Sequence, residues 1–148
     1  MRILVINGPN LNFLGIREPG IYGSDSYADL LALVKRTGEE EGVEVFTYQS
    51  NHEGALVDKI QEAYGTVDSL VLNPGAYTHT SIALLDALKA VGLPAVEVHI
   101  SDVPAREAFR QISYIRPACI ATITGEGIAG YAKAIRLLKQ HLTAAAAN

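Results

Sequence analysis

Seven polar residues scattered along the chain carry most of the chemistry it offers: Asn10, Asn73, His79, His99, Ser101, Arg106 and Arg110. Together they supply amide, imidazole, hydroxyl and guanidinium groups, a set suited to holding a compact polyhydroxylated acid. Each also has a purely structural reading. Asn73-Pro74-Gly75 reads as the end of a strand and Asn10 as a turn former. His79 reads as a partner of a helix start, and His99 as a satisfied histidine at the edge of the core. The block Arg106-Glu107-Ala108-Phe109-Arg110 reads as a salt-bridged surface helix or as a pair of ligand-facing arginines. Residue types alone leave these alternatives open.

Other chemistries find less support. His52, His79 and His99 could meet at strand ends, but the chain has no HExxH and no cysteine ligand set, so no metal site is expected. Gly8, Gly15, Gly20 and Gly23 form neither GxGxxG nor GxxxxGK, and the second strand ends at Tyr48-Gln49 without an acidic ribose-binding residue. A nucleotide cofactor is therefore not expected. Gly125-Glu126-Gly127 is read first as a plain turn and second as an anion cradle. The single Cys119 is assigned to a buried strand and a core role.

These residues need a scaffold that gathers them. Residues 3–6, 43–49, 70–72, 95–100 and 119–123 are short apolar or alternating runs of strand type. Helical spacing lies between them. Tyr27, Leu30, Leu31 and Val34 form a stripe that starts from a cap near Ser24 or Asp25 and stops at Gly42. Leu56, Ile60 and Tyr64 suggest a helix from Glu53, and Ile82, Leu85 and Leu88 another after a cap at Thr80 or Ser81. Pro104 begins a short helix through Phe109, and the last helix runs from Ile128 to His141 with Ile135 and Leu138 inward. Residues 10–22 lack periodicity and read as a mobile loop, a candidate lid.

Strands alternating with helices predict a three-layer α/β domain around a parallel sheet, with helices burying both faces. Ligands of such folds collect beyond the carboxyl ends of the strands, where residues 7–10, 49–53, 73–79 and 99–101 fall.

With 148 residues, 49% of them hydrophobic, the chain supports one core, and a single domain over residues 1–143 is expected with residues 144–148 as a frayed tail. A net charge of −4 provides no excess positive field for nucleic acid or an anionic membrane. No run is long enough to span a bilayer, and the start lacks a full signal-peptide region, so a cytoplasmic setting is expected.

Larger blocks carry a resemblance over almost the whole chain. They are residues 6–12 (INGPNLN), 17–23 (REPGIYG), 49–54 (QSNHEG), 73–81 (NPGAYTHTS), 97–101 (EVHIS) and 106–110 (REAFR), with Gly130-Tyr131. In these the chain resembles the type II 3-dehydroquinate dehydratase family. The resemblance implies a flavodoxin-like fold with sheet order 2-1-3-4-5 and a cofactor-free, reversible anti elimination of water from 3-dehydroquinate to 3-dehydroshikimate through an enolate-like intermediate. It also implies a homododecamer of four trimers and a role in the shikimate pathway of aromatic amino acid biosynthesis or in quinate metabolism. The five lysines lie in predicted helices or at their edges, which agrees with a route that forms no Schiff base.

The same resemblance assigns roles. Tyr22 is the base that removes the proton alpha to the ketone, and Arg17 stabilises its phenolate. Lowering a phenol from its reference value near 10 to about 7 requires about 4 kcal/mol of differential stabilisation. Asn10 holds the water that stabilises the enolate oxygen, His99 protonates the departing hydroxyl, and Glu97 orients the His99 imidazole. Asn73, Ile100 and Ser101 form the carboxylate site, and His79 and Arg110 contact the ring hydroxyls. Arg106 ranks behind Arg110, because its neighbour Glu107 can engage it in a salt bridge. Asp86 reaches the pocket of an adjacent subunit. Two positions depart from the family pattern: Leu85 stands where arginine is frequent and Asp102 where asparagine is common. A noncatalytic acid-binding module and a flavin or nucleotide protein are the competing uses of such a fold, and the missing phosphate signature weighs against the latter.

Overall fold

A computed structural model describes residues 1–16 and 19–147, apart from the side chains of Pro19 and Tyr22. Five parallel strands form one sheet: β1 (Arg2–Asn7), β2 (Glu44–Gln49), β3 (Ser69–Asn73), β4 (Ala95–His99) and β5 (Ala121–Thr124), in the order β2-β1-β3-β4-β5. Helices α1 (Pro19–Tyr22), α2 (Tyr27–Glu41), α3 (Glu53–Ala63), α4 (Ile82–Val91) and α5 (Ala129–Ala146) complete the chain, with short 3-10 turns between them.

The pleat sends alternate residues of β1 to opposite faces, and both faces are covered. Ile3 and Val5 join Val71, Val96 and Val98 under α2 and α5, where Leu30, Val34, Ile135 and Leu138 close the layer. Leu4 and Ile6 join Leu70 and Leu72 under α3 and α4, against Leu56, Ile60, Leu84 and Leu88. This explains why β1 and β3 carry unbroken apolar runs, Ile3–Ile6 and Leu70–Leu72, rather than alternating ones.

Helix punctuation follows local chemistry. Ser26, not Ser24 or Asp25, caps α2: its hydroxyl accepts from the Asp29 amide while the Asp29 carboxylate accepts from the Ser26 amide, satisfying two of the donors that a helix start leaves unpaired. Gly42 ends the helix in the left-handed region, as its position predicted. Ser81 caps α4 through the Leu84 amide.

Several expectations shift. The inward stripe of α4 is Leu84, Ala87 and Leu88, whereas Ile82 is exposed, because the cap lies immediately before it and rotates it outward. Tyr64 ends α3 as an exposed C-cap instead of packing. Cys119 is not in β5. Pro117 lies in a 3-10 turn over Arg116–Ala118, and Cys119 caps that turn through the Arg116 carbonyl, so pairing begins later. The segment from Pro104 to Phe109 is two 3-10 turns, Val103–Ala105 and Ala108–Arg110, separated by an extended Arg106 that interrupts helical hydrogen bonding. Helix α5 continues to Ala146, past the expected end at His141, with residues 144–147 exposed. The segment read as a lid contains a 3-10 turn at Leu11–Phe13, whose Leu11 is buried together with nearby Leu14, and the helical turn α1.

The sheet order reverses between β1, flanked by β2 on one side, and β3 on the other, which opens a crevice at their carboxyl ends. There the chains leave the two strands almost in contact. The Gly8 amide donates to the Asn73 carbonyl at 2.8 Å, and a β-carbon at Gly8 would lie 2.2 Å from the Pro74 carbonyl oxygen. Only glycine permits that approach.

Candidate active site

Beyond this junction lies a cleft of about 700 Å³, including its open mouth. Its lining includes Asn10, Asn73, His79, His99, Ile100, Ser101, Arg106 and Arg110, with Leu11, Leu14 and Val103 supplying apolar walls. Eight of the expected site residues therefore converge from four separate segments. Glu97 stands behind His99, outside the lining. Asp86 lies on the exposed side of α4 and does not reach this cleft within one chain. The expectations for Arg17 and for the Tyr22 side chain lie outside the described residues.

Asn10 sits in the left-handed region at φ 69°, which asparagine tolerates better than most residues. Its amide donates to Asn51 Oδ1 at 3.1 Å, and Gln49 Nε2 ties that oxygen to the Gly8 carbonyl. The turn is thus anchored to the end of β2. Asn73 is held by two bonds: its Nδ2 donates to the Tyr131 hydroxyl at 2.9 Å, and its Oδ1 accepts from the Gly75 amide at 3.1 Å. The Tyr131 hydroxyl donates in turn to Asn7 Oδ1 at 2.6 Å. Burial pushes the Tyr131 phenol up, so it remains a donor at neutral pH.

His79 Nδ1 donates to the Ile112 carbonyl at 2.7 Å, which leaves Nε2 as its acceptor nitrogen. Partial burial lowers its pKa against the opposing pull of the bond to the Ile112 carbonyl, and the neighbouring His99 and Arg110 act in the same direction as burial. Its ring is neutral near pH 7. The two arginines divide their contacts unexpectedly. Arg110 Nε binds Glu107 at 2.5 Å, while Arg106 stands 3.8 Å from that carboxylate and its Nη1 donates to Ser101 Oγ at 3.2 Å. The salt bridge used to rank Arg106 behind Arg110 thus engages Arg110 more closely. Arg106 is also the less exposed of the two side chains, at 11% against 21%.

The most elaborate feature is at Glu97, whose carboxylate is fully buried. Oε2 accepts from His99 Nε2, from Ser113 Oγ at 2.9 Å and from Arg116 Nη2 at 3.2 Å. Oε1 accepts from Arg116 Nε at 3.2 Å and from Thr122 Oγ1 at 3.3 Å. Burial by itself would raise this carboxyl, but the bonds from His99, Arg116 and Ser113 outweigh it and hold it at about 2. Glu97 is therefore an anion throughout the neutral range. With Nε2 committed to Glu97, the ring nitrogen of His99 that remains for a molecule in the cleft is Nδ1.

One further reading resolves. The amides of Gly125 and Gly127 donate to the carbonyls of Ser101 and Ile100, so this loop is a turn supporting the Ile100–Ser101 segment and both glycine amides are already engaged. His52 precedes α3 outside the cleft, and among the described residues no three His, Cys, Asp or Glu side chains converge as metal ligands do. Sequence reasoning missed Arg116, Ser113 and Thr122. One signal was available: Glu97 interrupts an otherwise apolar strand, and a buried carboxylate requires donors on its neighbours. Thr122 is its register partner on β5.

The family model of Dehydroquinase class II matches residues 1–139. A 3-dehydroquinate dehydratase of Caldicellulosiruptor bescii is 56% identical over 142 residues, covering 95% of this chain and 98% of that protein. One from Clostridium acetobutylicum is 52% identical over 143 residues, covering 97% and 99%. The crystal structure of type II dehydroquinase from Butyrivibrio crossotus superposes with a TM-score of 0.92 at 54% identity, covering 94% of this chain and 97% of that one.

Proposed function

The chain belongs to dehydroquinase class II, and from that premise we propose that it catalyses the dehydration of 3-dehydroquinate to 3-dehydroshikimate. The observation that carries this reading is the buried Glu97–His99 pair opening onto a cleft that Asn10, Asn73, Ser101, Arg106 and Arg110 also line.

In the proposed anti elimination, Tyr22, held as phenolate by Arg17, removes the proton alpha to the ketone. The electron pair passes to the carbonyl oxygen, and the enolate is stabilised through a water held by Asn10. The pair then returns to expel the hydroxyl on the opposite face as His99 protonates it. Water leaves, the phenol returns its proton to solvent, and His99 regains one from solvent at Nδ1. Donors fixed before the charge develops lower the barrier more than donors that must reorganise, and the bonds that hold the Asn10 backbone and the side chains of His79 and Asn73 support this reading.

Asn73, Ile100 and Ser101 hold the carboxylate, and His79 and Arg110 hold the ring hydroxyls. Arg106 neutralises the carboxylate, a role supported by its bond to Ser101. The enzyme works without a cofactor in the cytoplasm as a single catalytic domain over residues 1–143, in a homododecamer of four trimers where Asp86 completes a neighbour's site. Incubation with 3-dehydroquinate, a chelator control and ultraviolet detection of the conjugated product test the reading. Absence of product from folded, assembled protein refutes it.

A further inference from the structure

A carboxylate turns easily about its terminal bond, because that torsion is broad rather than staggered. Glu97 nevertheless has to present Oε2 to His99 in one orientation. Of its partners, the serine and threonine hydroxyls each make a single bond and are free to rotate about their own C–O bonds. Arg116 is different in kind. Its Nε and Nη2 engage the two carboxylate oxygens separately, both at 3.2 Å, and two bonds from one rigid plane set the plane of the acceptor. The guanidinium approaches from the 3-10 turn before β5 and does not line the cleft.

We propose that Arg116 is a positioning residue for the dehydration: its planar fork locks the buried Glu97 carboxylate and thereby fixes the tautomer and the aim of the His99 ring. The inference rests on the reading of His99 as the acid of the reaction. The charged or titratable groups around the pair are few. His79, Arg106 and Arg110 share the cleft with His99, and Cys119 lies behind Glu97 with its thiol pushed up to about 12 by burial and by that carboxylate. None of these replaces the fork. Without Arg116, Oε1 retains only Thr122, the carboxylate plane is free to turn, and the buried anion keeps one fewer positive neighbour.

The test uses Arg116→Gln in the full chain. Because Arg116 touches no cleft surface, KM for 3-dehydroquinate should stay within about twofold while kcat falls about 10- to 100-fold, the scale on which removal of an outer hydrogen-bond partner acts on an active group. At a pH where the ring is neutral, long-range proton–nitrogen NMR should show His99 as a single Nε2–H tautomer in the parent and as an averaged signal in the variant. Parent kcat together with a parent ring signature in a folded variant would overturn the proposal. Should Arg116→Gln not fold, Arg116→Lys decides the matter: it keeps the charge and loses the fork, so kcat should drop several-fold with an averaged ring signal, and parent values for both would overturn the proposal. If the parent itself forms no product, the dehydratase reading fails while the NMR comparison still reports whether Arg116 governs the His99 ring.

Discussion

Removing one oxygen atom beneath the cleft, in Tyr131→Phe, tests whether the polar floor of the site is a structural necessity. The ring packs at 0% exposure, and its hydroxyl joins β1 to β3 by donating to Asn7 Oδ1 and accepting from Asn73 Nδ2. Phenylalanine keeps the packing and orphans both amide atoms in a layer where Asn7 is 0% and Asn73 4% exposed. An unsatisfied buried group costs about 1–3 kcal/mol, and part of that is offset because the hydroxyl no longer has to be desolvated. The expected loss is about 2–4 kcal/mol, equivalent to about 4–16 °C in Tm for a domain of this size. Urea unfolding followed by circular dichroism measures it. Asn73 keeps its bond to the Gly75 amide but loses the constraint on Nδ2, so KM should rise several-fold with kcat nearly preserved. A stability change below about 1 kcal/mol with unchanged KM would show that the network neither supports the fold nor holds Asn73.

Three other outcomes are expected. Tyr22→Phe and Arg17→Ala should each depress kcat by two or more orders of magnitude while leaving the unfolding free energy within about 1 kcal/mol, because the proposed mechanism gives these groups charge creation as their task; near-parent turnover in either removes it from its assigned role. The Glu97 carboxyl lies lower in the folded chain than in the unfolded one, so its contribution to stability is complete above about pH 4.5 and disappears as the pH falls toward about 2. In Glu97→Gln that part of the acid-induced loss should be absent, and an acid unfolding profile parallel to the parent's would contradict this linkage. Asp86→Ala should reduce activity if assembly completes the site, and sedimentation should detect a large oligomer in the parent; a fully active monomeric parent would exclude the proposed role of Asp86.

Much of the scaffold was legible in the order of residues. The five apolar runs, the helices between them, the Gly42 stop and the Ser81 cap depend on neighbours within a few positions, where periodicity and capping chemistry act directly. Boundaries fared worse where Pro117 or an extended Arg106 cut an element short. The site was legible in its inventory, since the strand-end residues Asn10, Asn73, His99 and Ser101 do share one cleft, and the roles attached to them came from the family resemblance.

What tertiary structure alone decided was who meets whom across long separations. Tyr131 reaches Asn7 over 124 positions, and Arg116 reaches Glu97 over 19. Periodicity marks a side chain as inward or outward, but a buried donor is matched to its acceptor only when sheet order and register bring both to the same depth. A carboxylate inside an apolar strand therefore announced the need for partners, and only the packed chain identified them.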